Sequence, residues 1–321
     1  MADIHSNSEN AGIVNKADFT YRQSELHEWL VCRRSTDWKY WQGLTPKHEG
    51  PSAASLGTLV HAGLEDEYRR RSGLWMVEGS DAGPPNLYDR LRPLADSDQG
   101  VLADIMLRGY WDWVETTGAD AGWTIVGVEQ QLTARWPTLI HGHTVDVTGK
   151  ADLLIVDAFG LPRLVDHKTV DKMNDQQPPS DFQRQTYAVL KQILDGETYA
   201  GAMHNKLRKV KRSVQAKPPF YGRDEIHFNK AQLRSHYRHM EGILNEMVYT
   251  QLVLAEAKRS GDPGTVDDLE HRLLPPSPHR DCSWRCPMYT VCPMRDDGSA
   301  WASFMGENFQ SGIIIGEEEV N

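Results

Sequence analysis

Asp152, followed by Asp166-His167-Lys168, brings together the side-chain types needed for chemistry on a phosphodiester. Between them lie two apolar runs, Leu153-Leu154-Ile155-Val156 and Leu161-Pro162-Arg163-Leu164-Val165, split by Asp157-Ala158-Phe159-Gly160. That pattern predicts a β-hairpin. Folding about the turn sets Asp152 opposite residues 165–168, and opposed side chains sit ~5 Å apart at Cβ. Strand alternation gives Asp166 and Lys168 one face and turns His167 to the other. Two carboxylates beside an ammonium suit a hard divalent cation, Mg²⁺ or Mn²⁺, held next to a scissile phosphate. Lys168 would orient the attacking water or stabilise charge growing on the phosphate. Taken alone, an Asp-x-Lys tripeptide reads as well as a solvated ion pair worth about 0–1 kcal/mol.

Three further groups bear on that choice. In Gly57-Thr58-Leu59-Val60-His61-Ala62-Gly63-Leu64-Glu65 the apolar residues recur at helical spacing, which places His61 and Glu65 one turn apart. A neutral imidazole there is either a packed side chain or a ligand joining two carboxylates on Mn²⁺. Gln183 and Tyr187 stand at i and i+4 of a helix beginning near Pro179-Ser180-Asp181, either as a polar pair suited to phosphate or as ordinary helix surface. Four cysteines complete the set: Cys32, then Cys282, Cys286 and Cys292. The start Met1-Ala2-Asp3-Ile4-His5-Ser6 has no apolar signal region, so a cytoplasmic, reducing setting is expected and metal or cofactor binding outranks disulfides. Spacing leaves zinc and a [4Fe–4S] cluster both open.

The elements that must position these residues are legible in outline. Ser24 is placed as the cap of a helix carrying Leu26, Trp29, Leu30 and Cys32, and the His61 helix runs to about Arg71. Residues 78–97 read as a loop or insertion, and 98–117 as a helix with Leu102, Ile105, Met106, Tyr110 and Trp113 on its core side. The period then shifts to two around Val126-Gly127-Val128 and Val145-Asp146-Val147, ahead of the hairpin. A helix over 183–194, strands near 199–210 and ending at 226–228, and a long helix over 229–259 capped by Asn229 follow. Pro275-Pro276-Ser277-Pro278 makes a rigid entry to the cysteine loop. The order predicts an α/β core, a small mixed sheet with helices on both faces.

Net charge is −10 over 321 residues, awkward for a DNA binder, yet distribution matters more than the total. Lys206 to Arg212 and Arg69-Arg70-Arg71 are the basic runs, each readable as a phosphate track or as a solvated face. Of ten tryptophans, Trp38-Lys39-Tyr40-Trp41 and Trp111-Asp112-Trp113 invite a base-stacking reading, but core packing is the stronger expectation. Glu129, in the strand before the hairpin, reads either as lining the site or as a solvated strand residue, the second being the stronger expectation. No apolar run is long enough to span a membrane. Gly312-Ile313-Ile314-Ile315-Gly316 reads as a partner-docking peptide or an added edge strand.

Together the motifs resemble the RecB-like branch of the PD-(D/E)xK nucleases, within it the iron–sulfur exonucleases associated with CRISPR systems and phage recombination. The residues carrying the resemblance are Cys32, His61, Gly149-Lys150-Ala151-Asp152, Asp166-His167-Lys168, Gln183 with Tyr187, and Cys282, Cys286 and Cys292, in that order. The Cys282-x3-Cys286 spacing is one residue longer than in many relatives. The resemblance implies a restriction-endonuclease-like core with a helical iron–sulfur subdomain built from both chain ends. It implies a [4Fe–4S] cluster on Cys32, Cys282, Cys286 and Cys292, and Mg²⁺ or Mn²⁺ at His61, Asp152, Asp166 and His167. Asp152, Asp166, Lys168, Gln183 and Tyr187 would be catalytic, and the substrate single-stranded DNA degraded from 5′ to 3′. The expected division is a polar N-terminus (1–17), the N-terminal part of the cluster subdomain (18–56), the nuclease core (57–260), the cysteine segment (261–300) and an acidic tail (301–321). A non-catalytic iron–sulfur DNA-binding or adaptor subunit is the rival reading, against which the intact acids and lysine argue.

Overall fold

A computed structural model of the chain describes residues 16–47, 56–73, 97–174, 181–211 and 215–312. Its described residues divide into two compact units. The first draws on residues up to 20, on 53–137 and on 146–238, and the second on 21–52, 138–145 and 239 onward. The strands are β1 (Phe19–Arg22), β2 (Leu44–Pro46), β3 (Thr124–Arg135), β4 (Val145–Val156), β5 (Pro162–Val170), β6 (Gly201–Arg208), β7 (Tyr221–His227) and β8 (Phe309–Ser311). The helices are α1 (Gln23–Val31), α2 (Arg33–Thr36), α3 (Leu56–Ser72), α4 (Asp98–Thr117), α5 (Phe182–Asp195), α6 (Lys230–Ser260), α7 (Pro263–Leu273), α8 (Cys282–Arg285), α9 (Val291–Met294) and α10 (Trp301–Asn308), with a π-helical turn at Asp37–Trp41.

The main sheet runs β1-β4-β5-β6-β7, with β3 also pairing β4; β5 and β6 are parallel, while β3 with β4, β4 with β5 and β6 with β7 are antiparallel. The hairpin forms where the apolar runs predict it. Asp157 organises its turn, accepting the amides of Phe159 (2.9 Å) and Leu161 (3.0 Å) on Oδ1 and the Arg163 guanidinium on Oδ2 (2.6 Å). Leu153 pairs with Val165 and Leu154 with Leu164, so the register carries Asp152 directly opposite Asp166. β5 then reaches its parallel neighbour β6 through α5, the crossover that parallel pairing requires.

Alternation sorts the side chains. Leu153, Ile155, Val165, Met203 and Leu207 join Leu59, Val60, Leu64 and Tyr68 of α3 and Met106, Leu107 and Tyr110 of α4 in one apolar layer. α5 lies on the side of the sheet that carries Asp166, whose charge acts on its Arg184 and Tyr187, and it comes so close to β4 that a Cβ on Gly149 would fall 2.5 Å from Cε1 of Tyr187. The result is a mixed sheet flanked by helices, the α/β core the sequence predicts.

Helix starts follow local chemistry, with one correction. Ser97, Asp181 and Asn229 cap α4, α5 and α6 through their side-chain oxygens at 3.0, 3.0 and 2.9 Å. Ser24 does not cap α1; that helix starts at Gln23, and Glu25 reaches back 3.2 Å to the amide of Arg22.

In the second unit β2 and β8 pair antiparallel. Trp38, Met288, Val291, Met305 and Phe309 form its core cluster, and Trp38 stacks on Trp301 with centroids 6.4 Å apart. The buried Arg34 clamps Asp296 with two hydrogen bonds of 2.8 and 2.9 Å. These boundaries differ from the expected ones. Residues 138–145 and α6 from His239 onward belong with the chain ends, and 301–311 is helix and strand rather than tail. The expected 78–97 insertion lies outside the described residues except for Ser97, as does most of the 312–316 segment.

Gly149→Ala should drive the new methyl into the Tyr187 ring. A loss of roughly 1–3 kcal/mol in urea unfolding is expected, typical of overpacking; an unchanged midpoint would mean that β4 and α5 are not this close.

Candidate active site

The opposition of Asp152 and Asp166 concentrates negative charge at one place on the α5 face, and the neighbouring residues answer it. Oδ2 of Asp152 accepts the backbone amide of His167 at 2.8 Å and lies 3.6 Å from Nδ1 of His61, which α3 supplies. Asp166 meets Lys168 Nζ at 2.9 Å on one oxygen and His204 Nε2 at 3.0 Å on the other. Burial, then the nearby Asp166, push the Asp152 carboxyl up from the usual range. Burial would also raise Asp166, but the hydrogen bond from His204 and the charge of Lys168 hold it below that range. The two acids thus differ in proton affinity because one faces an amide and an imidazole and the other a lysine and a buried histidine.

Glu129 stands here, the weaker of its two sequence readings. Its side chain is only 8% exposed, stands 4.0 Å from His61 Nδ1 and pairs with Lys150 at 2.5 Å, so the solvated-residue reading is overturned. The cause is a register shift in β3. Ile125 pairs with Ile155 but Gly127 with Leu154, leaving Val126 extra. Beyond that bulge Val128 faces Leu153 and Gln130 faces Ala151, which puts Glu129 opposite Asp152. Glu129 also adopts φ +48°, a left-handed conformation uncommon for a non-glycine residue. Among the described residues, His61, Glu129 and Asp152 are the group whose ligand atoms lie within 4.8 Å of one another. One nitrogen and two carboxylates form a donor set that fits Mg²⁺ or Mn²⁺.

Gln183 and Tyr187 project from α5, with Gln183 Nε2 donating to the Tyr187 hydroxyl at 3.0 Å. Burial raises the phenol's pKa, and Asp152 and Asp166 are close enough to raise it further.

His167 needs correction as a metal ligand through its side chain. The imidazole points to the other face, stacks on Tyr68 (5.5 Å between centroids) and takes a hydrogen bond from Asn205 Nδ2 on Nδ1 at 2.9 Å. Only its backbone amide reaches the acids. Asn205 Nδ2 also lies 2.9 Å from the Tyr110 hydroxyl, and Arg223 bonds Asn205 at 3.3 Å, Tyr110 at 3.0 Å and Asp120.

Both basic runs are engaged within the fold. Arg69 pairs with Glu65, Arg70 and Arg71 with Glu67, the buried Lys206 with Asp224, Lys209 with Asp171 and Lys211 with Asp98. Arg212 lies outside the described residues.

In the second unit Cys32, Cys282, Cys286 and Cys292 are unbridged and line one cavity of about 430 Å³ together with Trp38, Met288 and Tyr289. Burial raises the Cys286 thiol, and Cys32, Cys282 and Cys292 add to that. Arg34 lies 3.8 Å from Cys292 Sγ, and the His279 amide 3.4 Å from Cys282 Sγ.

A family model of the PD-(D/E)XK nuclease superfamily matches residues 23–293. The chain belongs to that superfamily. Nucleases of this superfamily use divalent metals, which accords with the donor set at His61, Glu129 and Asp152. Among solved structures, the nuclease is similar to a candidate exonuclease from Eubacterium rectale, at 12% identity and TM-score 0.38 over 83% of this chain and 93% of that one. It is also similar to SSO0001, at 10% identity and TM-score 0.30 over 70% and 76%. No curated protein matches it. Of the polar residues of the nuclease's site, His204 escaped sequence reasoning, and Glu129 reads as a site residue only in second place. No local signal marks either one, since a parallel crossover places the first and a bulge the second.

His167 is buried and neutral, its pKa pushed from 6.5 down to about 3 by burial and by the nearby His61. The folded state therefore binds fewer protons than the unfolded one between those values. The stability this contributes is complete above about pH 6.5 and is lost as pH falls toward 3. Melting temperatures of wild type and His167→Gln should converge as pH drops from 7 to 4.5. Parallel curves would mean that the imidazole is not held neutral.

Proposed function

We propose that this nuclease is a metal-dependent DNA exonuclease of the RecB-like branch, acting on single-stranded DNA with 5′ to 3′ polarity in recombination, repair or CRISPR-type processing. The observation that carries the reading is the meeting of Asp152, Asp166 and Lys168 with His61 at one end of the hairpin. His61, Glu129 and Asp152 would hold Mg²⁺ or Mn²⁺, with Asp166 beside them. A cation there supplies polarisation of a phosphoryl oxygen and acidification of a water. Lys168, 38% exposed, is free to swing between Asp166 and the substrate, steadying the attacking water and the charge that builds on the phosphate. Asp166, held ionised by His204 and Lys168, would orient the water by accepting a hydrogen bond from it. Gln183 and Tyr187 position the strand by hydrogen bonds to a non-reacting phosphate.

The second part of the proposal is a [4Fe–4S] cluster on Cys32, Cys282, Cys286 and Cys292, making the second unit the iron–sulfur subdomain. Three features support it. Four thiols share one cavity, they would repel each other as thiolates without a cationic centre, and N–H groups already face two of the sulfurs. The cluster's role is structural: it ties residue 32 to residues 282–292, closing a loop whose entropy cost is several kcal/mol.

Two measurements test the proposal. Protein purified without oxygen should digest end-labelled single-stranded DNA with Mn²⁺, and Asp166→Ala with matching iron content should be at least about a hundredfold slower. Equal rates would remove Asp166 from the chemistry, and inactivity of an intact wild type would favour an adaptor. Chemical analysis should find iron and sulfide in near-equal amounts, about four of each per chain, falling sharply in Cys286→Ser. Stoichiometric zinc without sulfide would sink the cluster.

A further inference from the structure

The described tryptophans that the sequence offers as stacking platforms are occupied within the fold. Trp38 is buried against Trp301, and Trp111 and Trp113 pack on Tyr68, Tyr110 and Tyr221. A different pair is free. Trp284 is 74% exposed and Tyr289 52%, and both sit on the cysteine-bearing turn. A tryptophan this exposed is unusual in a folded domain.

We propose that this turn is a contact surface for single-stranded DNA, with Trp284 and Tyr289 stacking on unpaired bases and Arg285 meeting a phosphate. The choice of ligand rests on the nuclease reading. Within the second unit, the backbone of the turn is tightly held. Arg285 N donates to Asp281 O at 2.8 Å, Cys286 N to Cys282 O at 3.1 Å, Tyr289 N to Cys286 O at 3.1 Å and Cys292 N to Met288 O at 2.9 Å. The rings therefore project from fixed points, and ordering them on a ligand costs little beyond two side-chain torsions each. Charge points the same way. From Pro275 to Met294 the sole acid is Asp281, against Arg280, Arg285 and His279, in a chain whose net charge is −10. Arg280 is 95% exposed and pairs with Asp281 at 3.3 Å, and Arg285 is exposed and unpaired among the described residues. Most described cations of the first unit's basic runs are already paired with carboxylates, whereas on this turn exposed aromatic faces lie beside the uncommitted Arg285. Stacking on a π-face tolerates any base, which suits an enzyme that must pass along arbitrary sequence.

The test is fluorescence anisotropy on the full-length, cluster-loaded protein, with EDTA present to block cleavage. The probes are a labelled oligothymidylate and an abasic oligonucleotide of equal length, which keeps the phosphates and loses the bases. Wild type should bind the base-bearing strand more tightly. Trp284→Ala should lose roughly fivefold to a hundredfold on that strand and little on the abasic one. Trp284→Phe should recover most of the loss, and Arg285→Ala should weaken both strands and flatten the salt dependence. Unchanged affinity in Trp284→Ala with Tyr289→Ala, or an equal loss on both strands, overturns the proposal. A change in oligomeric state with DNA affinity intact also overturns it and assigns the patch to a protein interface. Hydrolysis of a small activated phosphodiester with Mn²⁺ by wild type separates the two ideas. Its absence defeats the nuclease reading whatever the anisotropy shows, whereas its presence with no stacking signature defeats only this proposal.

Discussion

Asp152 and Asp166 face each other across a hairpin in a place that water barely reaches, and two buried carboxylates at such range repel strongly. The surrounding structure answers that repulsion asymmetrically. A backbone amide and His61 meet Asp152, while Lys168 and His204 meet Asp166. The arrangement needs a helix on one face to bring His61, a parallel neighbour strand to bring His204, and a bulged outer strand to bring Glu129. Each of these elements is tied to the sheet by its own apolar packing, so the charge cluster is maintained by a hydrophobic frame it does not itself stabilise.

The opposite face shows how that frame is kept in register. His167 is sandwiched into a buried polar chain running through Asn205 and Tyr110 to Arg223 and Asp120, with Tyr68 closing it by a 2.7 Å bond to Tyr110. Groups buried this deeply are tolerated because they satisfy one another, and a network of this kind fixes geometry more than it adds stability. Because His167 lends its amide to Asp152, the position of an acid on one face is coupled to hydrogen bonding on the other.

The second unit applies a different constraint. Segments more than 200 residues apart in the chain meet there, through Arg34 with Asp296 and through strands β2 and β8. Around the cysteines the apolar packing is one local cluster of Trp38, Met288, Val291, Met305 and Phe309, and a cross-link between two distant chain segments there removes loop-closure entropy from the unfolded chain. The four thiols occupy the position where such a link is most effective.

Much of this was legible in the chain itself. The hairpin, the α4, α5 and α6 spans and the common face of Asp166 and Lys168 follow from periodicity, caps and turn residues, all local in sequence. The placement of Cys32 with the C-terminal cysteines was legible only through resemblance. What the tertiary structure alone decided is which charges meet. Were Val126 paired with Leu154 instead of bulged out, the register of β3 would set Glu129 beside Ala151 rather than Asp152. Lys206 looks like part of a basic stripe until β7 pairs with β6 and offers Asp224. His204 reaches Asp166 only because a crossover through α5 aligns β6 parallel to β5. The reason is physical: a side chain's face is set by its own strand's alternation, but its neighbour is set by register and strand order, which arise from contacts between segments that the local pattern does not encode.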